Sequence, residues 1–344
     1  IMDSRPKITS NKTNREIWID ILRAFACICV LLVHSPAKYD GQIPGQPVLA
    51  PANYLFMAWG VSVFFMISGA LLFNKPQNLR VFYKRRFARV LIPILIWSVI
   101  YIFFDDFFEL SDKSHLTRIL SIPLFEQTAL LWFMYTLVGI YLVTPIISIW
   151  LSNCSKRDVE IVLGIWSLTL FLPYIKLLNP DAIAVIGANG ILHNFYGFIG
   201  YALLGYYLRK YTNISIMSLR FLVIVVIAFG FPLFVFFSNL LPVDVLNDSM
   251  SISAALMSTV AFLFFKGLDY KDGLLLKAIL KIAEYSFAIY LCHMLFLKPL
   301  RYWLTDFHIN YMIQIPLTAL FVGILSYIFV WALSKIPYSK FFFG

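Results

Sequence analysis

Two ionisable side chains stand inside the first apolar run, WIDILRAFACICVLLVH (residues 18–34): Arg23 and His34. A bilayer-embedded ionisable residue is expensive and marks a functional site by default. Eleven residues is close to three helical turns, so both side chains share one helix face, roughly 16 Å apart along the axis. Such a face offers a fixed cation at one depth and an imidazole at another. It suits a long anionic ligand held at one end, with proton chemistry at the other. Arg23 lies roughly 9 Å inside its run. It reads either as a ligand for an anion from the cytosol or as a snorkelling arginine paired with Asp20 one turn earlier. His34 reads either as an interfacial histidine or as a general base that activates a hydroxyl, a role imidazole fills near neutral pH.

A second group follows in KRRFARVLIP (residues 84–93), where Lys84, Arg85, Arg86 and Arg89 form a dense basic cluster. One or two such charges serve as a positive-inside anchor or an anionic-lipid contact. Arg86 and Arg89, three apart on one helical face, add forked hydrogen bonds suited to phosphate. A phosphate-rich cytosolic ligand would satisfy them together with Arg23. Further along, Ser68 and Gly69 in VSVFFMISGALLF allow close helix approach or line a channel. Trp132 is a belt aromatic or a wall of the reaction centre. His293, mid-span in SFAIYLCH, should face the bundle interior, as a structural or a catalytic histidine. Asp105, Asp106 and Glu109 open an outer loop. They are either solvated carboxylates or groups that bind acceptor hydroxyls or orient His34. His115, His193 and His308 receive no role. No Walker motif, GxSxG or metal-ligand cluster is present, and no bound metal is expected.

The elements that must position these residues are membrane helices. Of 344 residues, 60% are hydrophobic and 13% charged, whereas a soluble domain carries about 25% charged residues. Mean hydropathy is +0.80. The expected fold class is an all-α polytopic membrane protein of about ten transmembrane helices, near 17–35, 54–73, 87–104, 129–150, 159–178, 192–209, 219–238, 250–267, 283–300 and 312–334. With the N-terminus inside, about 21 basic residues border the inner face and about six (Lys38, Lys113, Arg118, Lys176, Lys298, Arg301) the outer one. The positive-inside rule therefore predicts that both termini are cytoplasmic. The first run is followed by Pro36 and a polar loop, so it reads as a permanent span and not as a cleaved signal. Residues 1–344 read as one integral membrane domain, with tails 1–16 and 335–344. The outer segment 36–53, with Lys38, Tyr39 and Asp40, is of a kind that carries binding residues. The net charge of +10 is accounted for by topology, so no nucleic-acid partner is expected. Cys27, Cys29, Cys154 and Cys292 imply no disulfide framework.

In order and spacing these motifs resemble the acyltransferase-3 family of integral membrane acyltransferases. The family carries an arginine and a histidine separated by ten residues in its first span, matched by Arg23 and His34. Its second-span pattern is close to FFMISGALLF, and an RxxR followed by proline opens its third span, matched by Arg86, Arg89 and Pro93. An LWF-type tryptophan and a late YLxH segment match Trp132 and Tyr290–His293. The chain is particularly similar to stand-alone bacterial members that modify surface glycans, enterobacterial common antigen O-acetyltransferases among them. It lacks the additional span and esterase-like domain fused to some O-antigen acetylases. The resemblance implies a bacterial cytoplasmic-membrane location, with acetyl-CoA as cytosolic co-substrate and no tightly bound cofactor. The acceptor would be a hydroxyl of an extracytoplasmic glycan or lipid-linked saccharide. It implies Arg23, Arg85, Arg86 and Arg89 at the donor and His34 as catalytic base. Succinyl or another acyl group is a close variant. The rival reading is a transporter or flippase of a lipid-linked saccharide, whose basic cluster would grip a pyrophosphate.

Overall fold

The structure is a computed structural model and describes residues 16–36, 49–73, 78–108, 114–213, 218, 248–304, 311–337 and 339–343. Among these it is all-helical, with α1 Ile17–His34, α2 Leu49–Leu72, α3 Leu79–Asp105, α4 His115–Ser121, α5 Trp132–Asn153, α6 Lys156–Thr169, α7 Leu172–Leu178, α8 Ile199–Tyr211, α9 Ile252–Lys266, α10 Leu274–Leu304, α11 Tyr311–Leu333 and α12 Lys340–Phe343. Among the described residues, five stretches are long and apolar enough to cross a bilayer: α1, α3, α5, residues 156–178 and most of α11. The chain is a polytopic membrane protein.

Local chemistry sets the helix starts. Asn78 accepts from Val81 N–H to open α3, and Ser251 accepts from Ala254 N–H to open α9. Ser155 and Asp158 close a reciprocal capping box on α6. Each satisfies backbone donors that a first helical turn leaves unpaired.

Helix α1 is the hub, packed by α2, α9, α10 and α11, while α3 pairs with α5. Its Leu22, Ala26, Cys27, Cys29 and Val30 are buried in the main apolar cluster. Lipid tails are as apolar as leucine, so membrane helices associate largely through close fit. The α2–α8 contact illustrates this. A Cβ added to Gly69 would stand 1.8 Å from the Ala202 carbonyl oxygen, and one added to Gly205 would stand 2.0 Å from that of Met66. Two backbones can touch there because neither glycine carries a side chain.

One expectation needs correction. Residues 192–209 do not form one span: the helix covers only Ile199–Tyr211, preceded by 3-10 turns at Pro180–Ile186 and His193–Phe195. Gly197, at φ +123°, breaks the chain before α8, and its carbonyl accepts from the Trp166 indole N–H at 3.1 Å. Thirteen helical residues rise only about 20 Å, short of a hydrocarbon core of about 30 Å. The span expected at 159–178 is present as the apolar stretch Lys156–Leu178, built from α6 and α7, with Pro173 at the start of the second helix. Within the tail 335–344 the described residues include a short helix. Helix α12 lies against α3, and the buried Trp97 indole donates to Phe342 O at 2.8 Å, as a buried tryptophan N–H requires a partner. The span expected at 219–238 lies outside the described residues, as do Lys38, Tyr39, Asp40, Glu109 and His308.

Candidate active site

Helix α1 delivers Arg23 and His34 as its periodicity dictates. Arg23 donates to Asp20 Oδ1 at 2.9 Å, so the local ion pair exists. The guanidinium nevertheless also borders a cavity of about 320 Å3 that is lined by Arg86 and Arg89 of α3 as well. Three arginines from two helices thus converge on one space. Arg85, one residue away, is exposed and does not line it. The cavity walls are otherwise mostly apolar, from α2 (Val61, Phe64, Leu71), α5 (Phe133, Leu137, Tyr141) and α10 (Phe287, Tyr290). A cationic mouth with a greasy bore suits a ligand whose anionic head remains at one end.

Ser68 lines the cavity, but its hydroxyl donates to Phe64 O at 2.9 Å along its own helix. Gly69 is occupied by the α8 contact and does not line it. Trp132 stands behind the wall, 5.2 Å from the Phe198 ring centroid and 6.4 Å from that of Phe133.

The cavity ends at Val30 and Tyr290, one turn before His34 on α1 and one turn before His293 on α10. Beyond that lie the two imidazoles, although neither lines the cavity. His293 is fully buried, and its Nε2 is 3.2 Å from His34 Nδ1. The rings stack at 5.2 Å between centroids with 27° between planes. Spacing identified each histidine; their pairing across 259 residues carries no local signal.

The pairing also sets the protons. His293 Nδ1 lies 2.7 Å from Tyr290 O. A carbonyl only accepts, so His293 carries its proton on Nδ1 and presents a bare Nε2. His34 Nδ1–H then donates to that nitrogen. His34 Nε2 is left with a free lone pair, the arrangement a general base needs. The order carbonyl, imidazole, imidazole fixes ring and tautomer much as a carboxylate does for a catalytic histidine.

Further polar groups stand near the C-terminal ends of α3 and α10 and near the N-terminal ends of α4 and α11. Gln314 of α11 donates to Ser35 O at 3.1 Å, directly after His34, while its Oε1 is enclosed without a hydrogen-bond partner. Arg301 stands on the last turns of α10, with its Nε enclosed and without a hydrogen-bond partner. Lys298 donates to Asp105 Oδ1 at 2.6 Å. Asp106 accepts from Arg118 at 2.6 Å and pairs with His115 at 2.5 Å. Burial would raise the Asp106 pKa, but hydrogen bonds from His115 and Arg118 outweigh it and hold the carboxyl below its usual range. The two aspartates therefore tie α10 and α4 to the end of α3, and neither contacts His34 in the structure. Among the described residues no group of His, Cys, Asp and Glu could hold a metal ion, and the four cysteines are free thiols.

Several curated proteins resemble the chain along nearly its whole length. Probable poly-beta-1,6-N-acetyl-D-glucosamine export proteins of Staphylococcus aureus strains MSSA476, MW2 and N315 are each 25% identical over 341 residues, covering 92% of this chain and 95% of the relative. No solved structure gives a significant match. The family profile described as an acyltransferase domain matches residues 16–335, a stretch that contains the three arginines, both histidines and every helix from α1 to α11. The chain belongs to the acyltransferase-3 family.

Proposed function

We propose that this protein is an O-acetyltransferase that carries an acetyl group from cytosolic acetyl-CoA to a hydroxyl of a glycan on the far side of a bacterial cytoplasmic membrane. The observation that supports this most directly is the shared axis of α1. Arg23, Arg86 and Arg89 gather at one end of a mostly apolar cavity, and a base-competent His34 lies one turn past the other end. The phosphates of CoA would stay with the guanidiniums, which grip them with forked hydrogen bonds. The thin, mostly neutral pantetheine arm would follow the cavity toward Tyr290. The charge bias of the sequence, which favours about ten transmembrane helices with both termini cytoplasmic, supports the arginine end as the CoA side. No tightly bound cofactor is required, because the donor thioester is already activated.

In the reaction, the acceptor hydroxyl gives its proton to His34 Nε2 as its oxygen bonds the thioester carbonyl carbon. The carbonyl electron pair moves onto its oxygen. When that pair returns, the carbon–sulfur bond breaks, CoA leaves as thiolate, and His34 returns the proton to it. His293 holds His34 in the tautomer this requires.

A second reading is favoured by the relatives' names, which describe export of a polymer of N-acetylglucosamine. An exporter of sugar chains needs a polar passage, whereas the cavity walls between the arginines and Tyr290 are mostly apolar. The amino-sugar polymer fits better as a candidate class of acceptor.

Membranes of the source cell, with their own glycans, would be incubated with acetyl-CoA labelled in the acetyl group. Wild-type protein should label glycan, and His34→Ala at equal abundance should not. Equal labelling by the two would overturn the mechanism.

A further inference from the structure

Four hydroxyls line the cavity that begins at the three arginines: Ser68, Tyr141, Ser286 and Tyr290. Three of them are taken up inside the protein. Ser68 donates to Phe64 O at 2.9 Å, Ser286 to Ala283 O at 2.9 Å, and Tyr290 to Leu130 O. Tyr141 alone among the four makes no hydrogen bond to the described residues. Buried polar groups are nearly always paired, and an exception calls for a reason. Tyr141 is only 8% exposed. Its oxygen nevertheless differs from sealed, partnerless atoms such as Ser98 Oγ and Ser326 Oγ, because it retains an accessible surface. The cavity it lines is the opening that this hydroxyl reaches.

Neighbouring contacts fix its depth. The α5 residues on the cavity are Phe133, Leu137 and Tyr141, spaced one turn apart on one face. Phe133 meets the Tyr290 ring at 5.4 Å between centroids, which marks the histidine end. Tyr141 lies two turns further on, about 12 Å along the axis, where its ring meets Phe82 of α3 at 6.3 Å. Phe82 is one turn before Arg86 on the same helix, so Tyr141 stands at the guanidinium end. The backbone is held there by Tyr83, which donates to Leu142 O at 2.8 Å. Packing of α3 on α5 thus delivers Arg86, Arg89 and Tyr141 to one end of one space.

We propose that Tyr141 is a donor-binding residue, its hydroxyl donating to a pyrophosphate oxygen of acetyl-CoA where the phosphates give way to the pantetheine arm. This rests on the acyl-transfer reading. The arginines supply charge and forked contacts. The phenol adds a neutral donor on the apolar wall, at the depth where the ligand changes from anion to uncharged chain, and a bond to phosphate oxygen is charge-assisted. Tyr141 keeps its proton throughout and serves binding, not chemistry.

Tyr141→Phe removes one oxygen and no hydrogen bond of the ligand-free protein, so its Tm without ligand should match wild type. Full-length protein in detergent would be titrated with acetyl-CoA by thermal stabilisation, and transfer of labelled acetyl measured in source-cell membranes. The variant should need about 10- to 150-fold more acetyl-CoA for half-maximal stabilisation, the range for a hydrogen bond to a charged group. Its KM for acetyl-CoA should rise in the same sense, with the rate at saturating donor near that of wild type. The fragment 3′-phosphoadenosine 5′-diphosphate, which keeps the pyrophosphate and lacks the pantetheine arm, should stabilise wild type and lose affinity for the variant. Unchanged acetyl-CoA affinity in Tyr141→Phe would overturn the assignment, as would a lowered ligand-free Tm, which would mean that the hydroxyl works within the fold. A fragment that stabilises both proteins equally, or does not stabilise wild type, would overturn the pyrophosphate contact. Wild-type protein that neither binds acetyl-CoA nor transfers label would instead overturn the acyltransferase reading itself.

Discussion

Replacing His293 tests the imidazole relay where it is most exposed to refutation. His293→Leu keeps comparable volume in a fully buried position and removes the acceptor of the 3.2 Å contact with His34 Nδ1. The enclosed Nδ1–H then loses its partner, at a cost of about 1–3 kcal/mol. The ring no longer favours the tautomer with a bare Nε2. If that cost falls on the reactive arrangement, kcat should drop roughly 5- to 150-fold at 1.4 kcal/mol per tenfold. His293→Gln offers a carbonyl oxygen at about the position of Nε2 and should recover much of the loss. The assay is single-turnover transfer of labelled acetyl from saturating acetyl-CoA, with donor affinity read separately by thermal stabilisation. Donor affinity should stay near wild type in both variants, because the three arginines lie at the opposite end of the cavity. Wild-type kcat in His293→Leu would refute the relay. Glutamine and leucine variants equally impaired would show that the residue acts through packing alone.

Further predictions follow the same geometry. Arg89→Lys should weaken acetyl-CoA binding measurably despite the retained charge, because the fork to phosphate is lost; Arg85→Ala, off the cavity, should leave thermal stabilisation by acetyl-CoA unchanged. Gly69→Ala drives a Cβ to 1.8 Å from the Ala202 carbonyl and should cost about 1–3 kcal/mol as overpacking, seen as a lower Tm in detergent; an unchanged Tm would mean that α2 and α8 separate freely. Asp106 has a folded pKa below its ordinary value, so its contribution is complete above about pH 4–5 and fades as pH falls through the folded pKa. Amide exchange in α4 should therefore accelerate under acid in wild type, and at neutral pH in Asp106→Asn; exchange unaffected by either change would remove that carboxylate as the tether of α4.

What could be read along the chain was local. The shared face of Arg23 and His34, and that of Arg86 and Arg89, follow from helical periodicity, which couples residues three or four apart whatever surrounds them. The departures came where neighbours overrule that period. Apolar residues at 192–198 look as lipid-compatible as those of α8, yet Gly197 at positive φ and its bond to Trp166 take them out of the helix. Asp105 and Asp106 looked like free loop carboxylates until Lys298 and Arg118 were brought to them from other elements.

Composition and charge by themselves determined a helical membrane protein with a basic face and a small set of ionisable residues inside it, because the hydrocarbon layer admits little else. Tertiary packing decided the pairing of His34 with His293 and the gathering of three arginines on one cavity. Those contacts join side chains far apart in the chain, and only the close fit of one helix on another brings them within hydrogen-bonding reach.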